Sequence, residues 1–177
     1  MPSLATTLRA AAVTVLAGGF GFFAAATAAT AEPGNAGSSD DVNALAASLS
    51  KGYELTNCTA QQVTKTGELA GLLCGQSPDP NGPASALYSL FDNGTDLTSA
   101  FKSAVKTVSM TVCGDAGESP TVWRQGSSGQ TAGQVACGTA NDTATIIWTT
   151  DSKNVLGTVT ASNGDLGALY EWWRTRG

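Results

Sequence analysis

Gln134–Gly138 reads QVACG, Thr143–Asp151 TATIIWTTD, Val155–Ser162 VLGTVTAS and Asn163–Trp173 NGDLGALYEWW. Branched and aromatic residues dominate the second segment, as suits a central strand with Ile146 and Trp148 on one face and Ile147 on the other. The first and third segments alternate more weakly and read as its neighbours. Gly157 marks a bulge or a close approach. In the last segment, Asn163-Gly164-Asp165 caps a short helix whose buried stripe is Leu166, Leu169, Tyr170 and Trp173. Adjacent helical positions diverge by about 100°, so Trp172 is expected to one side, at a rim. It is the one residue singled out for possible ligand or partner binding. The bland alternative is that it closes over the sheet edge.

Outward from this unit, Glu68–Cys74 and Ala84–Phe91 read as a strand pair joined by the rigid turn Ser77–Pro83. Met110–Cys113 is a further strand, and Val122 and Trp123 sit in a segment of their own. Tyr53–Lys65 is ambiguous. Two more helices precede the closing unit. One carries Val42, Leu45, Ala46 and Leu49 on one face, with Asp40 or Asp41 as cap. The other runs from Leu97 through Ala100, Phe101, Ala104 and Val105, capped by Thr95 or Asp96. The expected fold is α+β: a mainly antiparallel sheet of five or six strands, with one face under helices near the start, middle and end of the mature chain.

Arg9 is the lone charged side chain before a small and apolar run that ends in Ala29-Thr30-Ala31. That order predicts a signal peptide over residues 1–31. A flexible leader over 32–41 and a single disulfide-stabilised domain over 42–177 follow. The expected location is secreted or at the cell envelope, without stable membrane insertion after cleavage. Cys58, Cys74, Cys113 and Cys137 make an even count in an exported chain, which predicts disulfides. Of three possible pairings, the local one is expected, Cys58 with Cys74 and Cys113 with Cys137. Each would contribute about 3 kcal/mol by loop closure.

The chain has 9 basic and 14 acidic residues, a net charge of -5, and no basic cluster. Nucleic acid is therefore a poor partner. The chain has no histidine. That excludes histidine-based triads and the H-E-x-x-H zinc site. Ser103-Ala104-Val105-Lys106 matches S-x-x-K, yet it lies on the outward face of an ordinary helix. Asp79, Asp92, Asp96, Asp151, Asp165 and Glu171 are the carboxylates available to a glycosidase. Five have turn or cap explanations, and Glu171 reads as a solvated helix position. Asp92–Asp96 offers several oxygens but lacks an EF-hand loop. The residues call for no cofactor, no metal and no catalytic site.

The segments LLCGQSPDPNGPASALYSLF, QVACGT, IIWTTD and GDLGALYEWWRTRG together resemble a small actinobacterial secreted domain. That domain is similar to mycobacterial exported proteins and to the extracellular tails of some membrane serine/threonine kinases. The resemblance covers Cys58 to Arg176 and is carried best by the last two cysteines and D-L-x-A-L-Y-x-W-W. It implies a disulfide-containing extracellular module that senses or binds something at the envelope. The kinase domain and its spanning segment are missing here, and no catalytic residue carries over. The expectation is an exported, non-catalytic protein that binds an envelope ligand or protein. The alternative is a small carboxylate-dependent glycan hydrolase.

Overall fold

The computed structural model describes residues 35–126 and 129–177. The predicted signal peptide lies outside them, as does the predicted leader up to residue 34. From Asn35 the chain is pinned, since the Asn35 carbonyl accepts from Val63 N–H at 2.8 Å. Residues 39–41, expected in the leader, already belong to α1 (Ser39–Ala46). Its cap is Ser38 rather than either aspartate: the Ser38 Oγ accepts from Asp41 N–H at 3.1 Å.

The expectation of five or six strands is corrected, because the sheet has eight. They are β1 (Cys58–Gln61), β2 (Glu68–Cys74), β3 (Ser85–Phe91), β4 (Ser109–Thr111), β5 (Thr121–Arg124), β6 (Thr131–Ala140), β7 (Thr143–Thr150) and β8 (Val155–Thr160). Two further helices complete the described part, α2 (Gly94–Val105) and α3 (Leu166–Arg176). The order across the sheet is β1-β2-β3-β8-β7-β6-β4, with β5 also paired to β6, and every pairing is antiparallel. The ten-residue β6 carries two short strands in line on its outer edge: β4 opposite Cys137–Thr139 and β5 opposite Thr131–Val135. β4 overlaps the strand expected over Met110–Cys113, whereas β1 and β5, four residues each, are the two beyond the expected count.

Both faces of the sheet are covered, not one. On the inner face, α1 and α3 pack over Leu72, Tyr88, Val135, Ile146, Trp148 and Val159. On the outer face, Leu97, Phe101 and Val105 of α2 pack on Phe91, Ala136, Ile147 and Leu156. This double burial explains why TATIIWTT is nearly continuous in apolar and branched residues. Phe101, 1 % exposed, is the anchor of the outer layer, and its burial stabilises by about 2–3 kcal/mol. Asn93 starts α2, in place of Thr95 or Asp96. Its Oδ1 accepts from Thr95 and Asp96 N–H at 3.0 Å each. Asp165 caps α3 by accepting from Ala168 N–H at 3.0 Å.

Cys58 bonds to Cys74 and Cys113 to Cys137. The inner face also carries a chain of aromatic contacts. It runs from Trp172 through Tyr53, Tyr88, Trp148 and Trp173 to Trp123, with ring centroids 5.6–6.3 Å apart. Such edge-to-face pairs stabilise beyond the area they bury. No bulge is formed at Gly157, whose pairing with Tyr88 and Trp148 is in register. It is a close approach: a Cβ built there would stand 2.3 Å from the Trp148 ring.

Candidate functional site

Helix α2 contacts β7, β8 and β3, but it leaves the outer face of β2 and part of β3 open. Leu73 and Leu87 are cross-strand partners there, and they remain 44 % and 36 % exposed. Where this open face meets α2, a groove of about 330 Å³ forms. That is within the size range of small-molecule sites. Its floor is Leu87, Leu156 and Thr158. Ser99, Ala100, Ser103 and Ala104 make the helix wall. The side chains are small because α2 turns its large residues, Leu97 and Phe101, into the core. The opposite wall is the loop before β2, with Lys65 and Thr66.

One end of the groove holds an ion pair. Lys65 Nζ donates to Glu68 Oε1 at 2.6 Å and to Ser89 Oγ at 3.2 Å. The Glu68 side chain is 2 % exposed, whereas Lys65 is 42 % exposed. Glu68 Oε2 accepts from the backbone N–H groups of Thr64 and Lys65 at 3.1 Å each. Burial pushes the Glu68 carboxyl up. Hydrogen bonds from the Lys65 and Ser89 side chains and from the two backbone donors outweigh it, and hold the group below its ordinary value. The chemistry is that of a satisfied network. Glu68 accepts from the Lys65 ammonium and two backbone N–H groups, and Ser89 is 2 % exposed. A nucleophilic serine needs a free base beside it, and here the adjacent amine is bound to a carboxylate. The arrangement fixes the groove's shape and presents one ammonium at its mouth.

Two residues weighed for other roles come together here. Ser103 and Asp96 both line the groove. Ser103 donates to the Ser99 carbonyl at 3.0 Å, and Lys106 of the S-x-x-K match is the C-cap of α2, outside the lining. Asp96 Oδ2 accepts from Asn93 Nδ2 at 2.8 Å, so Asp96 and Asn93 are both engaged at the helix start. Asp79 pairs with Arg176, Asp151 accepts from the Thr149 hydroxyl, Asp165 caps α3 and Glu171 pairs with Arg174. Asp92 is exposed at the turn before α2. Of these six carboxylates the groove lining contains Asp96 alone. Among the described residues, no three His, Cys, Asp or Glu side chains converge as a metal site would require.

The rim position expected for Trp172 is corrected. It is 5 % exposed, because Tyr53 stands edge-on at 6.3 Å and Gly82 approaches its indole nitrogen. The turn before β3 covers it, which helix geometry alone does not reveal. The groove residues Lys65, Ser89, Leu87 and Leu156 carried no sequence signal. They lie far apart in the chain, and only the β2-β3-β8 pairing brings them together. No protein-family model matches the chain, and neither a curated protein nor a solved structure matches it.

Proposed function

We propose that this is an exported, non-catalytic ligand-binding protein of the cell envelope, with its ligand held in the groove between α2 and the open sheet face. One observation carries the reading: an apolar floor under a rim of polar groups that already satisfy one another. Such a site binds without reacting, and favours a small uncharged ligand with an apolar body and a hydroxyl or amide edge. Lys65 and Glu68 together are neutral, so a strongly anionic head gains little here. The two disulfides suit an oxidising compartment. Among the described residues no helix is long and apolar enough to cross a membrane. A glycan hydrolase would need two free carboxylates about 5–9.5 Å apart across the cleft. The groove lining offers Asp96, and Glu68 at its end is already bound to Lys65 and two backbone N–H groups.

The test is native mass spectrometry of the oxidised protein from its producing cell, with Nile red as an uncharged fluorescent probe. Wild type should carry an added mass or bind the probe. Ala100→Trp, which fills the groove, should lose both while keeping its melting temperature. Retention of mass and probe by Ala100→Trp, or their absence from wild type, would refute the reading.

A further inference from the structure

On the opposite face of the sheet from the groove, Trp123, Tyr170 and Trp173 wall a second cavity of about 480 Å³. Trp123 and Trp173 meet edge to face at 5.6 Å, and Tyr170 lies tilted against Trp173 at 5.7 Å. The polar groups are placed with equal definition. Asp115, on the 3-10 turn Gly114–Ala116, accepts from the Tyr170 hydroxyl at 2.8 Å and from Arg174 at 3.1 Å. Burial and then the Asp115 carboxylate push the Tyr170 phenol up to about 12, so it stays a donor. The other arm of Arg174 donates to Glu171 at 2.9 Å. Arg124 stands on the rim, with one arm on the Gly129 carbonyl.

One group in this cavity is unexplained. Trp173 is 5 % exposed, and among the described residues its indole N–H, like that of Trp172, has no hydrogen-bond partner. By contrast, the Trp123 indole donates to the Thr149 carbonyl at 2.7 Å. Gly177 closes over the Trp173 N–H, and both residues line the cavity.

We infer that this pocket is a saccharide subsite. A pyranose ring has an apolar C–H face, which suits the aromatic wall, and hydroxyl edges that both donate and accept. Asp115 and Arg174 supply an adjacent acceptor and donor for two neighbouring hydroxyls. A quaternary ammonium, the usual guest of an aromatic cage, is disfavoured because Arg124 and Arg174 face the same space. A nucleic acid is disfavoured by the net charge of -5. The subsite does not depend on the groove reading, since the two cavities share no residue.

The experiment titrates the oxidised protein with chitotetraose and with cellotetraose, read by tryptophan fluorescence and saturation-transfer NMR. At least one tetrasaccharide should bind at millimolar concentration or below. Asp115→Asn is isosteric at an exposed position, so it should fold normally and weaken binding about tenfold. Arg174→Ala should do the same, and Trp123→Ala should abolish binding. Ala100→Trp should leave it unchanged. No binding of either sugar, or equal binding by Asp115→Asn and Arg174→Ala, would overturn the assignment.

Discussion

Replacing Glu68 with alanine should destabilise the protein by about 2–4 kcal/mol. The carboxylate is 2 % exposed and accepts from two backbone N–H groups, Thr64 and Lys65, at 3.1 Å each. Alanine strands both donors, at about 1–2 kcal/mol apiece when partly buried. The Lys65 ammonium is 42 % exposed and returns to water, so its lost ion pair adds little. Glu68→Gln keeps the shape but not the charge, which isolates the electrostatic part. Because the folded protein holds the Glu68 carboxyl below its ordinary value, folding favours the ionised form. That stabilisation is full above the ordinary glutamate range, near about pH 4.3, and is lost as pH falls through the lower folded value. Urea unfolding, followed by tryptophan fluorescence at neutral and acidic pH, measures both effects. Glu68→Gln should lose less stability on acidification than wild type does. The reasoning fails if Glu68→Ala costs less than about 1 kcal/mol at neutral pH, or if the glutamine variant falls as steeply with acid.

Removing the Cys113–Cys137 bond with paired serines should cost about 3 kcal/mol, from the 24-residue separation that it closes. A loss under about 1 kcal/mol in the same urea assay would mean that loop closure is not how the bond acts. Gly157→Ala should cost about 2 kcal/mol or more, because the new Cβ meets the buried Trp148 ring at 2.3 Å. A thermal melt matching wild type would show that the ring moves aside freely.

The closing unit was legible because its residues are buried on both faces. Ile146, Ile147 and Trp148 can be placed only in a central strand. In α3 the spacing of Leu169, Tyr170 and Trp173 was legible as one buried face, whereas Trp172 was expected at a rim and is buried. β1 was not legible. CTAQ has no alternation, and its two central residues are exposed. It is a strand because β2 offers it an edge and because Cys58 is held there. The start of β6 was hidden too: Thr131–Gly133 reads as turn material, and only pairing with β5 makes it extended. The caps of α1 and α2 were misassigned by two or three positions, since Ser38 and Asn93 compete with nearby aspartates of equal capping power. Of the groove, the sequence showed the helix that carries Ala100, Ser103 and Ala104 and the strands that carry Leu87 and Leu156, but not that they meet. That the helix residues edge a cavity depends on Leu87 and Leu156, strand residues brought together by the β3-β8 pairing. The aromatic cavity was half visible: Trp123 and Trp173 stood out, but Asp115 lies between the segments that carried a signal.

Cys58 and Cys74 are direct register partners across β1 and β2, so that disulfide is a rivet through the outermost strand. An edge strand held this way can neither slip by a residue nor peel off to pair with another molecule. Strand exchange between copies, the usual hazard of a short sheet edge, is closed to the oxidised protein at this end. Reduction is the event that reopens it. Loss of this one bond should therefore show first as concentration-dependent self-association, before any loss of the core.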